Sequence, residues 1–166
     1  MRKLIVFNQV SLDGYFVDAN GDMNWAHNQN PDKEWDDFVN QNAQSGGLLI
    51  FGRITYDLMA SFWPTPFAAQ SNPIVAERMN SLQKIVFSTT MQATDWSNTR
   101  LVHSELLAEI QKLKNENGLD MVIMGSGSLV TQLAQAGLID EYQIVVIPIV
   151  LSNGRTLFEN ILAPID

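Results

Sequence analysis

The sequence predicts an α/β domain: a mixed, mostly parallel sheet flanked by helices in three layers. Three observations carry that expectation. The runs Leu48-Leu49-Ile50-Phe51 and Met121-Val122-Ile123-Met124 are short and wholly apolar, as strands covered on both faces are. Each runs into a glycine and then a helical pattern. Strand and helix signals alternate along the chain without a repeat, a low-complexity stretch or a linker, and strands joined through helices lie parallel. The 166 residues therefore read as one domain, 1–166.

The elements follow in order. Residues 4–10, largely apolar and β-branched, form a first strand. Asp18-Ala19-Asn20-Gly21 is a turn, because Asn-Gly accepts positive φ. Asn30-Pro31 opens a helix, with Asn as cap and Pro in the first turn, and Trp35, Phe38 and Val39 form its apolar stripe. Gly46-Gly47 breaks it ahead of the strand at 48–51. Gly52 ends that strand, 54–60 is a short helix, 61–72 is a loop, and Pro73 starts a helix to about residue 80. Residues 84–87 and 100–103 are strands. Ser104 caps a helix bearing Leu106, Leu107, Ile110 and Leu113, which Gly118 stops. After the strand at 121–124, Ser126 or Gly127 caps a helix that ends near Gly137. Residues 141–151 form a long strand, and Pro148 implies an edge or a bulge.

Composition excludes several classes of function. Ten basic residues against 18 acidic give a net charge of −8, with the bases spread along the chain. Duplex nucleic acid and anionic membranes demand clustered Lys and Arg, so neither partner is expected. There is no cysteine, which removes disulfides, thiolate metal sites and a cysteine nucleophile. The apolar run after Met1-Arg2-Lys3 stops at Asn8-Gln9, too short for a signal peptide, and no apolar stretch approaches the roughly 20 residues of a spanning helix. A cytoplasmic chain is expected. His27 and His103 stand far apart with no acid–histidine spacing, so no metal is expected.

Chemistry concentrates at three strand ends. At Phe51-Gly52-Arg53-Ile54-Thr55 a glycine ends a buried strand and a helix begins, so free N–H groups of the first turn attract negative charge beside a guanidinium and a hydroxyl. At Met124-Gly125-Ser126-Gly127-Ser128-Leu129 two glycines alternate with two serines, a pattern that forms either an anion-binding concavity or a plain serine-capped turn. It is neither the dinucleotide fingerprint, since Val130 stands where a third glycine belongs, nor a P-loop. At Phe87-Ser88-Thr89-Thr90 three hydroxyls follow a strand, a pattern ordinary loops share. In open α/β sheets ligands bind outside the carboxyl ends of the strands. Three furnished ends suit a nucleotide cofactor, or equally a sugar phosphate.

These segments, with Val10-Ser11-Leu12-Asp13-Gly14 and the run Gly137-Leu138-Ile139-Asp140-Glu141-Tyr142, then Pro148 and Asn153-Gly154, resemble the dihydrofolate reductase-like superfamily. The likeness is strongest to bacterial proteins similar to the reductase domain of riboflavin biosynthesis. The resemblance implies a reductase that takes a hydride from NADPH to a small heterocycle, pterin-like or ribitylaminopyrimidine-like. By position it puts Gly52, Arg53 and Thr55 at the cofactor phosphates, and Ser88 and Thr89 at the adenosine end. It puts Gly125, Ser126, Gly127, Ser128 and Leu129 at the pyrophosphate, and Gln9 and Phe16 beside the nicotinamide. Thr89 stands where many relatives place a cation for the 2′-phosphate, which leaves Arg53 as the evident one and NADH as an alternative. A proton donor is also needed. Glu34 falls where those reductases anchor the pterin, on a helix whose dipole equally suits a solvated acid. Asp13, after the first strand, is the rival. The family's C-terminal hairpin is absent here, so a second subunit is expected over the exposed edge, giving a homodimer. A nucleotide-binding dimeric module without turnover is the alternative function.

Overall fold

The computed structural model describes residues 1–26, 33–44, 47–103, 105–161 and 163–165. The expected caps Asn30-Pro31 and Ser104, and Gly46, lie outside the described residues, as do His27 and Asp32. The strands are β1 (Leu4–Ser11), β2 (Tyr15–Asp18), β3 (Leu48–Gly52), β4 (Lys84–Phe87), β5 (Thr99–Val102), β6 (Met121–Met124), β7 (Glu141–Ile147) and β8 (Gly154–Thr156). The α-helices are α1 (Lys33–Gln44), α2 (Arg53–Phe62), α3 (Pro66–Ser71), α4 (Pro73–Ser81), α5 (Leu106–Asn115) and α6 (Gly127–Gln135).

Six strands form one sheet in the order β5-β4-β3-β6-β1-β7, and every pairing in it is parallel. The antiparallel part of the expected mixed sheet is a separate ladder of β2 and β8. Strand alternation sends Ile50 to one face of the sheet and Leu49 and Phe51 to the other. Ile50 joins Leu4, Val6, Ile123, Ile110 and Leu133 in a core under α5 and α6, which Phe16, Val17 and Leu157 close at one end. Leu49 and Phe51 join Val86, Tyr56, Met79 and Trp96 under α2 and α4. That is the three-layer arrangement expected, and it explains why the 48–51 and 121–124 runs had to be apolar throughout.

Two elements differ from expectation. The 61–72 segment holds α3, because Thr65 accepts a hydrogen bond from the Ala68 amide at 3.2 Å and Pro66 supplies the first turn. The strand expected over 141–151 stops at Ile147, where Pro148 has no N–H to continue the ladder. Backbone from 154 to 156 then turns back to pair with β2. The approach there is close: a Cβ at Gly154, where φ is +149°, would stand 2.0 Å from the Val17 carbonyl oxygen. No helix among the described residues is long and apolar enough to cross a membrane.

Candidate active site

The carboxyl ends of β3, β6 and β1 lie side by side in the sheet. After β6 the chain makes two consecutive left-handed residues, Gly125 (φ +70°) and Ser126 (φ +65°, ψ +70°), before α6 begins. That turn throws the Ser126 side chain sideways onto the next strand end. Its Oγ accepts the Gly52 amide at 2.6 Å and donates to Thr55 Oγ1 at 3.1 Å. A serine at φ +65° is strained by about 1–2 kcal/mol, and these two bonds hold it. Ser126 is thus the residue before α6, yet its hydroxyl serves the start of α2 instead of capping its own helix. Gly52, before α2, has no side chain to cap with. Two helix N-termini are consequently adjacent and uncovered by cap side chains.

The glycines turn out to serve this contact directly. A Cβ at Gly52 would stand 2.6 Å from Ser126 Oγ, and one at Gly125 would stand 2.9 Å from both branches of Thr55. A Cβ at Gly127 would stand 3.0 Å from the Phe16 ring. Small residues here let two loops approach each other, and only through that do they shape a surface for a ligand. Thr55, Leu129 and Phe16 are buried and support the site from behind. Arg53, Ser128 and Thr89 are exposed at its rim, and Gln9 and Ser88 are half-buried. Arg53 makes an ion pair with Asp57 one turn on, at 3.3 Å.

Sequence reasoning missed Asn8. It lies on the inward face of β1 with Leu4 and Val6 and is 3 % exposed. Its Oδ1 accepts the Gly125 amide at 3.1 Å, while its Nδ2 is buried with no partner. A buried, unsatisfied donor costs about 1–3 kcal/mol and marks a place where a ligand atom can supply the missing acceptor. The signal was present: Asn8 is the one polar residue in the apolar alternation Leu4, Val6, Asn8, Val10.

The two acids differ sharply. The Asp13 carboxylate accepts from Ser11 Oγ at 2.6 Å and from the amides of Leu151 and Ser152 at 3.1 and 2.8 Å. The Ser11 hydroxyl first, and then those amides, hold its carboxyl below the ordinary value. Asp13 ties the β1–β2 turn to the loop after β7 as an anion. Glu34 is exposed in the first turn of α1. Four residues on, Phe38 stands on the same side of that helix, with its ring 6.3 Å from Phe7 of β1 and 5.8 Å from Trp35. Gln9 shares the Phe7 face of β1. An aromatic shelf therefore crosses the middle of β1, with Phe38 also lining a hollow beside Ile5 and Asp120 toward the amino ends of the strands, and Glu34 lies one turn before Phe38. A second hollow of about 520 Å³, bounded by Arg2, Leu48, Lys84, Arg100 and Gly118, opens at the amino ends of β3, β4 and β5.

With that geometry in view, known proteins are informative. The model of the RibD C-terminal domain matches residues 2–164. The chain belongs to this family. Within reach of the RibD C-terminal domain family, it is 31% identical over 157 residues to the uncharacterized protein YyaP of Bacillus subtilis (strain 168), covering 95% of this chain and 80% of YyaP. It is 27% identical over 160 residues to the uncharacterized protein YwjB of the same organism, covering 96% and 84%. A crystal structure of a putative riboflavin biosynthesis protein from Shewanella sp. PV-4 superposes with a TM-score of 0.70 at 27% identity, over 98% of this chain and 86% of that one. The fold is shared with a diaminohydroxyphosphoribosylaminopyrimidine deaminase/5-amino-6-(5-phosphoribosylamino)uracil reductase from Thermotoga maritima, with a TM-score of 0.66 at 13% identity. This chain spans 49% of that longer protein. A dihydrofolate reductase-like fold of the riboflavin-reductase kind is thereby shown.

Proposed function

We propose that the chain is a pyridine-nucleotide-dependent reductase of a small planar heterocycle, pterin-like or ribitylaminopyrimidine-like, with NADPH as cofactor and NADH as the alternative. The observation that carries this reading is the pair of helix N-termini locked together through Ser126, next to the unpaired amide of Asn8. The leading N–H groups of α2 and α6 lie ahead of any helical carbonyl four residues back and suit the oxygens of a pyrophosphate, although the Leu129 amide already donates to the Ser126 carbonyl at 2.9 Å. Arg53, Ser128 and the Gly127 amide would hold it, with Gly125 turning the loop while its own amide stays on Asn8, and Ser88 and Thr89 would meet the adenosine end. A bound reduced nicotinamide supplies a hydride. The chain itself holds and orients: Gln9 and the Asn8 amide offer polar contacts, and Phe7, Trp35 and Phe38 offer an apolar shelf that excludes water from a flat substrate. Glu34, bordering the shelf, passes a proton to the product, while Asp13 positions the loop.

Substrate-dependent oxidation of NADPH tests this. With a ribosylaminopyrimidinone or dihydropterin as acceptor, Glu34→Gln is expected to slow turnover about a hundredfold, the low end of what general acids contribute. Asp13→Asn is expected to raise KM more than it lowers kcat. Equal rates in wild type and both variants remove both acids from the mechanism. The alternative, a nucleotide-binding module without turnover, is favoured by two observations: Asp13 is held as an anion by its hydrogen bonds, and Glu34 is exposed. Cofactor binding with no acceptor consumed would establish it.

The protein is also proposed to be a homodimer. The outer edge of β7 is unpaired among the described residues, and Tyr142, Ile144 and Val146 expose 41, 36 and 55% of their surface along it. An uncovered apolar edge invites association. Light scattering is expected to give twice the chain mass, and charging the edge with Ile144→Lys is expected to halve it.

A further inference from the structure

We infer that the hollow at the amino ends of β3, β4 and β5 is a second binding site, for a small organic anion whose phosphate or carboxylate is held by Arg2 and whose apolar body lies on Leu48, Ile85 and Leu113. Its volume of about 520 Å³ falls within the range of small-molecule sites. The three strands are five, four and four residues long, so about 13–17 Å of sheet separates it from the contact between Gly52 and Ser126. The reductase reading makes no use of this hollow, and the two stand or fall separately.

Arg2 is held in advance of any ligand. Its amide donates to the Lys114 carbonyl at 3.1 Å, and the next amide, of Lys3, donates to Asp120 Oδ1 at 2.7 Å. The chain before β1 is thereby strapped across the connection between α5 and β6. Arg2 Nε donates to the Leu119 carbonyl. The guanidinium also presses on Gly118, where a Cβ would stand 3.1 Å from its Cζ, 3.2 Å from its Nε and 3.3 Å from one terminal nitrogen. Gly118 has no left-handed φ, so beyond stopping α5 it makes room for this side chain. Arg53, Arg100 and Arg155 each pair with a carboxylate. Half-buried Arg2 pairs with none among the described residues, and its two terminal nitrogens have no hydrogen-bond partner there. A fixed guanidinium with a free fork matches two oxygens of a phosphate or carboxylate. Fixing it beforehand removes the ordering cost that usually offsets such a bond.

The surroundings suit an anion with an apolar body. The lining holds three basic residues and one acidic residue, the reverse of the chain's ten against 18. Ile85 and Leu113 are buried and Leu48 is half-buried, which gives the floor. Arg100 stands in the wall on β5, with one terminal nitrogen on Glu109 at 2.7 Å. The acidic residue, Glu116, is drawn toward Lys112 at 4.0 Å. Lys84 adds no donor, because its ammonium is spent on the carbonyls of Met79 and Leu82.

The test is amide NMR of the isotope-labelled protein, titrated with phenyl phosphate, with benzoate and with uncharged benzyl alcohol. Saturable shifts at Gly47, Thr99 and Gly118 with an anion, and none with the alcohol, are the expected result. The anion that binds more tightly identifies a phosphate or a carboxylate as the source. Arg2→Gln is expected to weaken it about tenfold, as loss of a charge-assisted bond does. Arg2→Lys keeps the charge and loses the fork, and is expected to weaken it about threefold. The spectra show directly whether each variant is folded, and if Arg2→Gln is not, the loss in Arg2→Lys decides. Saturating NADPH is expected to leave the shifts in place. Displacement by NADPH, shifts at Gly125 and Ser126 instead, equal binding of the alcohol, or wild-type affinity in the Arg2 variants would each overturn the inference. So would the absence of shifts at millimolar anion, whether or not the protein binds NADPH.

Discussion

Replacing Gly125 with alanine is expected to destabilise the protein by about 3 kcal/mol and to weaken nucleotide binding more than tenfold. Two physical terms add. The left-handed backbone at φ +70° costs an L-residue about 1–2 kcal/mol. The new Cβ would meet Thr55 Oγ1 and Cγ2, each at 2.9 Å. Thr55 is buried and β-branched, so it has no free rotamer to retreat into, and overpacking of this kind costs about 1–3 kcal/mol. Pushing Thr55 away also breaks its bond with Ser126, which separates the starts of α2 and α6. Gly137→Ala is the control. Its φ is +64°, but nothing lies within 4 Å of the added atom, so only the backbone term of about 1 kcal/mol applies. Denaturant unfolding of both variants measures the difference. Equal losses would mean that the close approach to Thr55 contributes nothing.

Substituting Lys84 with methionine is expected to flatten the alkaline limb of the stability profile. Lys84 is 1% exposed, and its ammonium donates to the carbonyls of Met79, Leu82 and Asn80 at 2.8, 2.7 and 3.3 Å, closing the C-terminal end of α4. It also lies 4.5 Å above the Trp96 ring. Burial pushes its pKa down to about 8 from an ordinary 10.5. Between those values the unfolded chain still binds the proton and the folded chain has released it. Stability therefore rises with pH across that window. The difference between wild type and Lys84→Met is expected to grow in favour of wild type by up to about 3 kcal/mol from pH 8 to pH 10.5. The carbonyls and the indole retain part of the charge's stabilisation, so that figure is a ceiling. Parallel profiles for the two proteins would show that the ammonium stays charged throughout.

Much of the framework was legible because burial on both faces leaves few choices. Residues 84–87 and 121–124 are strands to the residue, since the apolar runs Ile85-Val86-Phe87 and Met121–Met124 survive between two helical layers, with the one charged residue, Lys84, satisfied by helix-end carbonyls. The small β2–β8 ladder was hidden because its strands are four and three residues long and pair across more than a hundred positions of sequence. Helix α3 was hidden behind two prolines and a tryptophan, although Thr65-Pro66 is a regular cap and first turn. At the site, residue types were readable and directions were not. Gly52, Gly125 and Gly127 looked like places for a ligand to approach, but the atoms nearest them belong to Ser126, Thr55 and Phe16. Asp13 looked like a candidate acid, but its partners at 151 and 152 come from a loop that no local pattern brings to it.

The central claim is that the Ser126-locked helix ends receive a pyridine nucleotide. Titrating the purified protein with NADPH and with NADH, following quenching of its four tryptophans, tests it most directly. Saturable micromolar binding to wild type, lost in Gly125→Ala, is the result expected. No binding of either nucleotide at millimolar concentration would contradict the account and leave the shared fold without the shared activity.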